Sequence, residues 1–259
     1  MLNCGQTCTS VERIFVQESI LDAFVAQLKE KMEKISTLST KPDDDGGLCV
    51  GCMTTSFQIE EIEAQLQEAQ EKGADIVSGG KCVPGTHIFP PTLVVTRNLS
   101  LKILNDETFG PVVTVVPFKT EEEAIRLAND SPFGLNSSVW SRDLVRAERV
   151  ARALVSGNVS INNVLATQAN AALPFGGAKE SGMGRYHGPF GLHSFSNIKS
   201  MTIDQSSDRS EINWYPYTKE KFELLTKLFK TLYSGHPLAL LRAGLLGSKL
   251  AALVKKQRL

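Results

Sequence analysis

The chain has 259 residues, 42% of them apolar and 22% charged, enough for one sizeable buried core or two smaller ones. Lysine plus arginine and aspartate plus glutamate both total 28, which excludes the global basic field that attracts nucleic acid. No run of 18 uncharged apolar residues occurs and the N-terminus lacks a secretory pattern, so neither a spanning helix nor a signal peptide is expected.

The first notable stretch is N-C-G-Q-T-C-T-S, Asn3 to Ser10, with Cys4 and Cys8 flanking a glycine. Val11 to Val16 (V-E-R-I-F-V) then predicts a strand. Ser19 is placed to cap a helix whose apolar positions Leu21, Phe24, Val25 and Leu28 recur at helical spacing. Lys41 to Gly47 is a polar loop, and a second helix is predicted from Ser56 to Lys72, ending before Gly73. Short strands follow at Ala74 to Val77 and, entered through prolines, at Phe89 to Val95.

Pro111 to Pro117 (P-V-V-T-V-V-P) is a near-continuous β-branched run, the pattern of a strand buried on both faces. Thr120 opens a helix with Glu123 three residues on, a capping-box spacing. A strand at Leu135 to Trp140, a helix at Asp143 to Leu154 and a strand at Val159 to Asn162 complete the alternation. Alternating strands and helices predict an α/β fold, a doubly wound parallel sheet. Val164 to Gly188 is a long glycine-bearing loop, and Leu192 to Ile203 returns to strand-like alternation.

Five cysteines, an odd number in a chain of this size, argue against a disulfide framework. They point to a reducing intracellular compartment, cytoplasmic or at the surface of an internal membrane. Cys8 reads, by itself, as either a nucleophile or a buried structural cysteine; an ordinary thiol pKa is roughly 8.5 and no histidine is near it in sequence. Cys49 and Cys52, joined with Cys4 and Cys8, have the spacing of a four-cysteine zinc site or a redox dithiol, but coincidence is the preferred account and no metal is expected. Glu107, in E-T-F-G-P before the buried strand, reads as a ribose-diol acceptor or a solvated loop acid. Gly182, Gly184 and Gly188 miss the dinucleotide fingerprint by one residue, with no strand leading in, so they are not a phosphate cradle; Phe175 is placed as a stacking or wall residue.

Five motifs in register resemble the NAD(P)-dependent aldehyde dehydrogenase superfamily, over roughly residues 1–205: G-Q-T-C, E-T-F-G-P-V, P-F-G-L-N-S-S-V, G-N-V-S-I-N-N and P-F-G-G-A-K-E-S-G-M-G-R. S-G-M-G-R-Y-H-G, H-S-F-S and N-W-Y-P-Y-T-K-E-K are most similar to its class-3 or fatty-aldehyde branch. The resemblance implies the C-terminal catalytic half of such an enzyme, with Cys8 as nucleophile, Glu107 on the nicotinamide ribose hydroxyls, Phe109 beside it and Phe175 bordering the nicotinamide and the aldehyde pocket. Asn162 and Asn163 carry over no role. It also implies NAD or NADP as cofactor, a long-chain or aromatic aldehyde as substrate, and a homo-oligomer. The implied chemistry is attack of the Cys8 thiolate on the aldehyde, an oxyanion held by backbone N–H groups and a side-chain amide, hydride loss to the nicotinamide, and hydrolysis of a thioester by glutamate-activated water.

The resemblance further implies that the dinucleotide-binding Rossmann region, the water-activating glutamate and the oxyanion asparagine precede the nucleophile, where this chain has only seven residues. A fragmentary gene model is the simplest account, and the polypeptide alone is expected to leave Cys8 exposed and to be incompetent as a dehydrogenase. The alternative is a non-catalytic truncated subunit acting through its oligomerisation strand. The expected division is a catalytic subdomain over 1–190, an oligomerisation strand over 191–205 and a basic amphipathic helical tail over 206–259. Where the family usually has Gly-Pro, this chain has Gly51-Cys52, so a loosened approach to the second helix is expected. From Thr218 onward nine basic residues face two acids, +7 on a body of −7. With Phe222, Leu225, Leu228, Phe229 and Leu232 on one helical face, this tail predicts either an interfacial helix at an anionic membrane or a helical pair packed on protein.

Overall fold

The computed structural model describes residues 2–35, 50–203, 205, 211–212 and 214–256. The polar loop at Lys41 to Gly47, and Cys49 of the Cys49/Cys52 pair, lie outside the described residues. The chain divides into two compact units, Met1–Ile198 and Lys199–Leu259, a boundary that falls inside the segment expected to be an oligomerisation strand.

The first unit is built on one strand. After β1 (Arg13–Gln17), α1 (Leu21–Glu33), α2 (Ser56–Glu71), β2 (Asp75–Ser78), β3 (Thr92–Val95) and α3 (Lys102–Asn105) comes β4 (Val112–Phe118), the V-V-T-V-V run. It lies inside a four-stranded sheet of order β1-β4-β3-β2, parallel to both β1 and β3. Alternate side chains of β4 serve two cores, because successive residues of a strand point to opposite faces. Val112 and Val116 pack with Ile59, Ile62 and Leu66 of α2; Val113 and Val115 pack with Leu21 and Met32 of α1. Helices therefore cover both faces of a parallel sheet, which is the doubly wound arrangement. One strand departs from it: β2, at the sheet edge, pairs antiparallel to β3 through a bulge.

Several helix starts follow local capping chemistry. Thr55 caps α2 by accepting from Gln58 N. Thr120 caps α4 (Glu121–Asn129) by accepting from Glu123 N, while the Glu123 carboxylate accepts from Lys119 N. Asp143 caps α5 (Leu144–Ala153) through Arg146 N. Ser19 is no cap; it lies in a 3-10 turn, Glu18–Ile20, and α1 begins at Leu21 without side-chain capping.

The later strands leave the main sheet. β5 (Phe133–Gly134) pairs antiparallel with β8 (Ala178–Lys179), and β6 (Asn136–Val139) pairs parallel with β7 (Asn158–Ile161). Glu121 of α4 takes a bidentate pair from Arg149 of α5 at 2.8 and 2.9 Å, tying the two layers. Two short helices follow, α6 (Ala166–Ala169) and α7 (Gly188–Ser194). The strand expected over Leu192 to Ile203 does not form: α7 occupies its start, and residues 195–203 carry no regular structure. Alternation alone cannot hold a strand that has no neighbour to pair with.

The second unit is a helical hairpin, α8 (Lys219–Leu232) packed on α9 (Ala239–Lys256). Thr218 caps α8. Ala239, Ala243, Leu250 and Val254 form the buried seam of α9, while Phe222, Phe229, Leu240, Leu241 and Leu245 stay exposed. No described helix is long and apolar enough to cross a membrane.

Candidate active site

The loop before Cys8 is shaped by three consecutive left-handed residues, Asn3 (φ 52°), Cys4 (φ 58°) and Gly5 (φ 74°). At the two non-glycine positions such backbone costs of order 1–3 kcal/mol each. What offsets it is packing: Cys4 is 3% exposed and its thiol reaches Met53 Sδ at 3.6 Å. Gly5 has no alternative residue, since a Cβ there would lie 1.9 Å from the Gly110 carbonyl oxygen. The glycine of G-Q-T-C thus sits directly on the glycine of E-T-F-G-P-V.

Three side chains near Cys8 fix the loop further. Gln6 accepts from Thr54 N at 2.9 Å and donates to the Cys52 carbonyl at 3.4 Å, so the approach to α2 is tied down rather than loosened by the missing proline. Thr9, buried next to Cys8, donates to Gln168 Oε1 on α6 at 2.7 Å. Cys8 itself sits between them, exposed, in a turn closed by Ser10 N donating to the Thr7 carbonyl. Glu12 then reaches the neighbouring turn: its Oε1 accepts from Thr108 N at 3.1 Å and Phe109 N at 2.8 Å.

Glu107 is exposed, with its backbone anchored from α2. Gln65 donates to the Glu107 carbonyl, Thr108 Oγ1 donates to Gln65 Oε1 at 2.9 Å, and Gln58 donates to the Thr108 carbonyl at 2.8 Å. Phe109, half-buried, is held at φ 48°. The structure therefore joins the Cys8 loop and the Glu107–Phe109 turn into one assembly.

Phe175 belongs to a different loop. It is 1% exposed, bridged to Tyr186 through two backbone hydrogen bonds, with the two rings edge to face at 5.3 Å. Its loop folds on itself: Arg185 donates to the carbonyls of Gly177 and Gly184, both at 2.6 Å, and a Cβ at Gly157 would lie 1.8 Å from the Gly176 carbonyl oxygen. The Thr9–Gln168 bond links the Cys8 loop to α6, which precedes this segment. Asn162 and Asn163 spend their side chains on Ser141 and on Leu165 and Ala166 backbone groups, a structural role. The residues that sequence reading missed are Gln6, Thr9 and Glu12. Of these Gln6 alone has a motif signal, as the glutamine of G-Q-T-C.

The two cysteines of the opening stretch differ in chemistry. Burial pushes the Cys4 thiol up to about 11, assisted by the neighbouring Cys52. Among the described residues no group of three His, Cys, Asp or Glu converges to hold a metal. Alkylation near neutral pH, read by peptide mass spectrometry, is expected to label the exposed Cys8 and Cys52 and to spare Cys4 until the chain is denatured. Labelling of native Cys4 as fast as Cys8 would contradict this arrangement.

The sequence and fold match known proteins over the same region. The aldehyde dehydrogenase family model matches residues 1–201. A 4,4'-diapolycopene aldehyde oxidase of Methylomonas sp is 41% identical over 221 residues, covering 85% of this chain and 40% of that protein. The succinate-semialdehyde dehydrogenase (NADP+) GabD of Escherichia coli is 37% identical over 202 residues, 78% of this chain and 41% of that protein. A crystal structure of betaine aldehyde dehydrogenase from Staphylococcus aureus in complex with NAD+ aligns with TM-score 0.72 and 36% identity, over 83% of this chain and 42% of that one. The chain spans about two fifths of the length of the curated relatives it matches. With four of the five motifs folded into these contacts and a family match over residues 1–201, the chain belongs to the aldehyde dehydrogenase family.

Proposed function

We propose that this chain is the C-terminal catalytic half of an enzyme that oxidises an aldehyde to a carboxylic acid with NAD or NADP, and that Cys8 is its nucleophile. The observation that carries the reading is the exposed Cys8 on a loop seated, through Gly5, on the turn that bears Glu107 and Phe109. The residues present fit a nicotinamide riboside: Glu107 offers an exposed carboxylate to ribose hydroxyls, and the half-exposed Phe109 follows on the same turn. When bound, the nicotinamide supplies the hydride acceptor that turns the cysteine adduct into a thioester.

The remaining work falls to the chain's own groups. The Cys8 thiolate bonds to the carbonyl carbon, and the carbonyl π pair moves to oxygen. Backbone N–H groups, that of Cys8 among them, face the resulting charge. Water then attacks the thioester carbon, and sulfur leaves as thiolate. By family resemblance, a glutamate activates this water.

Substrate and setting follow the branch resemblance. S-G-M-G-R-Y-H-G and the tail motif favour a long-chain or aromatic aldehyde, in keeping with relatives named for diapolycopene aldehyde and salicylaldehyde. Four described cysteines are free, consistent with a reducing, cytoplasmic setting. Segment 191–205 is proposed to add as a strand to a second copy of the chain, supported by the exposure of Phe195, Ile198, Met201 and Ile203. The same contact underlies the alternative of a non-catalytic subunit. The α8–α9 hairpin is proposed to lie on an anionic membrane surface, since exposed leucines and phenylalanines share it with Lys227, Lys230, Arg242, Lys249, Lys255 and Lys256.

Two outcomes check these readings. Joined to the nucleotide-binding half of a relative, the chain is expected to reduce NAD(P) with aldehyde, and C8S to lose about 10³-fold or more of that rate. Undiminished turnover in C8S would end the nucleophile assignment. In flotation assays the chain is expected to rise with vesicles containing phosphatidylserine, but not without residues 218–259 and not in high salt; equal flotation of both forms would remove the membrane contact.

A further inference from the structure

Outside the residues that the family motifs single out, the best-placed polar group is Glu12. It sits at the entry to β1, four residues after Cys8, and its side chain spends itself on the opposite turn. One oxygen accepts from both Thr108 N (3.1 Å) and Phe109 N (2.8 Å), while the Glu12 backbone carbonyl accepts from Thr114 N (2.8 Å) at the head of β4. Phe109 is a bulky residue in left-handed backbone, φ 48°, a conformation that persists only where its surroundings enforce it. The residue before it donates to the same carboxylate. Gln58 and Gln65 hold Glu107 and Thr108 from the α2 side through carbonyls and a hydroxyl, and neither touches the Phe109 N–H.

We propose that Glu12 is a positioning residue: it holds the Phe109 backbone in its left-handed form and thereby sets where Glu107 stands relative to Cys8. This rests on the proposed role of the Glu107 turn in binding the nicotinamide ribose. The arrangement has a cost. Burial raises the Glu12 pKa, the two backbone N–H groups lower it, and the nearby Glu107 charge raises it again, with Arg13 opposing. Its net pKa stands above the ordinary carboxylate value. Relative to glutamine, glutamate at this position therefore loses stability as pH rises from the ordinary carboxylate range through its raised folded value.

The test is native-state hydrogen exchange on the chain itself. E12A is expected to lower protection at the Thr108 and Phe109 amides by about tenfold to a hundredfold while β3 and β4 keep theirs. E12Q, whose amide oxygen accepts the same two bonds, is expected to keep wild-type protection there. Its stability advantage over the wild type should grow with pH through the carboxylate range. Should E12A fail to fold, E12D withdraws the oxygens by one methylene and is expected to show the same local loss. In the aldehyde-oxidising form of the protein, E12A should raise KM for NAD(P) by about tenfold or more with a smaller change in the aldehyde KM, a split that a general loss of stability would not give. Wild-type protection at Thr108 and Phe109 in E12A, or in E12D where that serves instead, would overturn the proposal, as would equal rises in both KM values. A local loss of protection in a protein that oxidises no aldehyde would leave the tether standing and defeat the functional reading instead.

Discussion

At Gly5 there is no room for a side chain: the next atom outward would strike the Gly110 carbonyl. Much of the site's geometry follows from that close approach. It brings the loop carrying Cys8 against the turn carrying Glu107 and Phe109 without a spacer, so neither can move far unless the other does. A second approach of the same kind, Gly157 on Gly176, ties the strand β7 to the loop carrying Phe175. Four of the five sequence motifs are therefore two pairs of touching surfaces. Their glycines stand where two backbones meet, which is a stereochemical reason for a motif rather than a statistical one.

Strain accumulates at these contacts, and the surrounding packing holds it. Asn3, Cys4 and Phe109 all adopt left-handed backbone. Cys4 is fixed by burial against Met53, Phe109 by the Glu12 carboxylate, and the intervening segment by Gln6. Beneath them lies the sheet centred on β4, with a helix-lined core on each face. A strand packed on both sides makes a rigid base, and strained functional loops are stable only on such a base.

The sequence showed most clearly those features whose causes are local. The buried run before Pro117, the Thr120 cap with Glu123, and the helix opened by Asp143 all formed where side-chain pattern and capping chemistry placed them. Features decided by distant partners stayed hidden. Glu12 reads as an ordinary outward-facing acid in V-E-R-I, because the amide it binds at Thr108 lies 96 residues further on. The antiparallel edge of β2 and the separate β6–β7 pair depend on which neighbours are free to bond, which no period reports. Leu192 to Ile203 alternates like a strand but has no partner strand among the described residues. Phe175 reads in the sequence as a stacking or wall residue; its burial against Tyr186 was not legible there.

The central claim is that the Cys8 loop and the Glu107–Phe109 turn behave as one unit because two glycines touch. Hydrogen exchange in G5A measures this most directly. The account predicts that amides of residues 6–10 and 107–110 lose protection together, while β1, β3 and β4 remain protected. Loss confined to the substituted loop, or no loss at all, would contradict it.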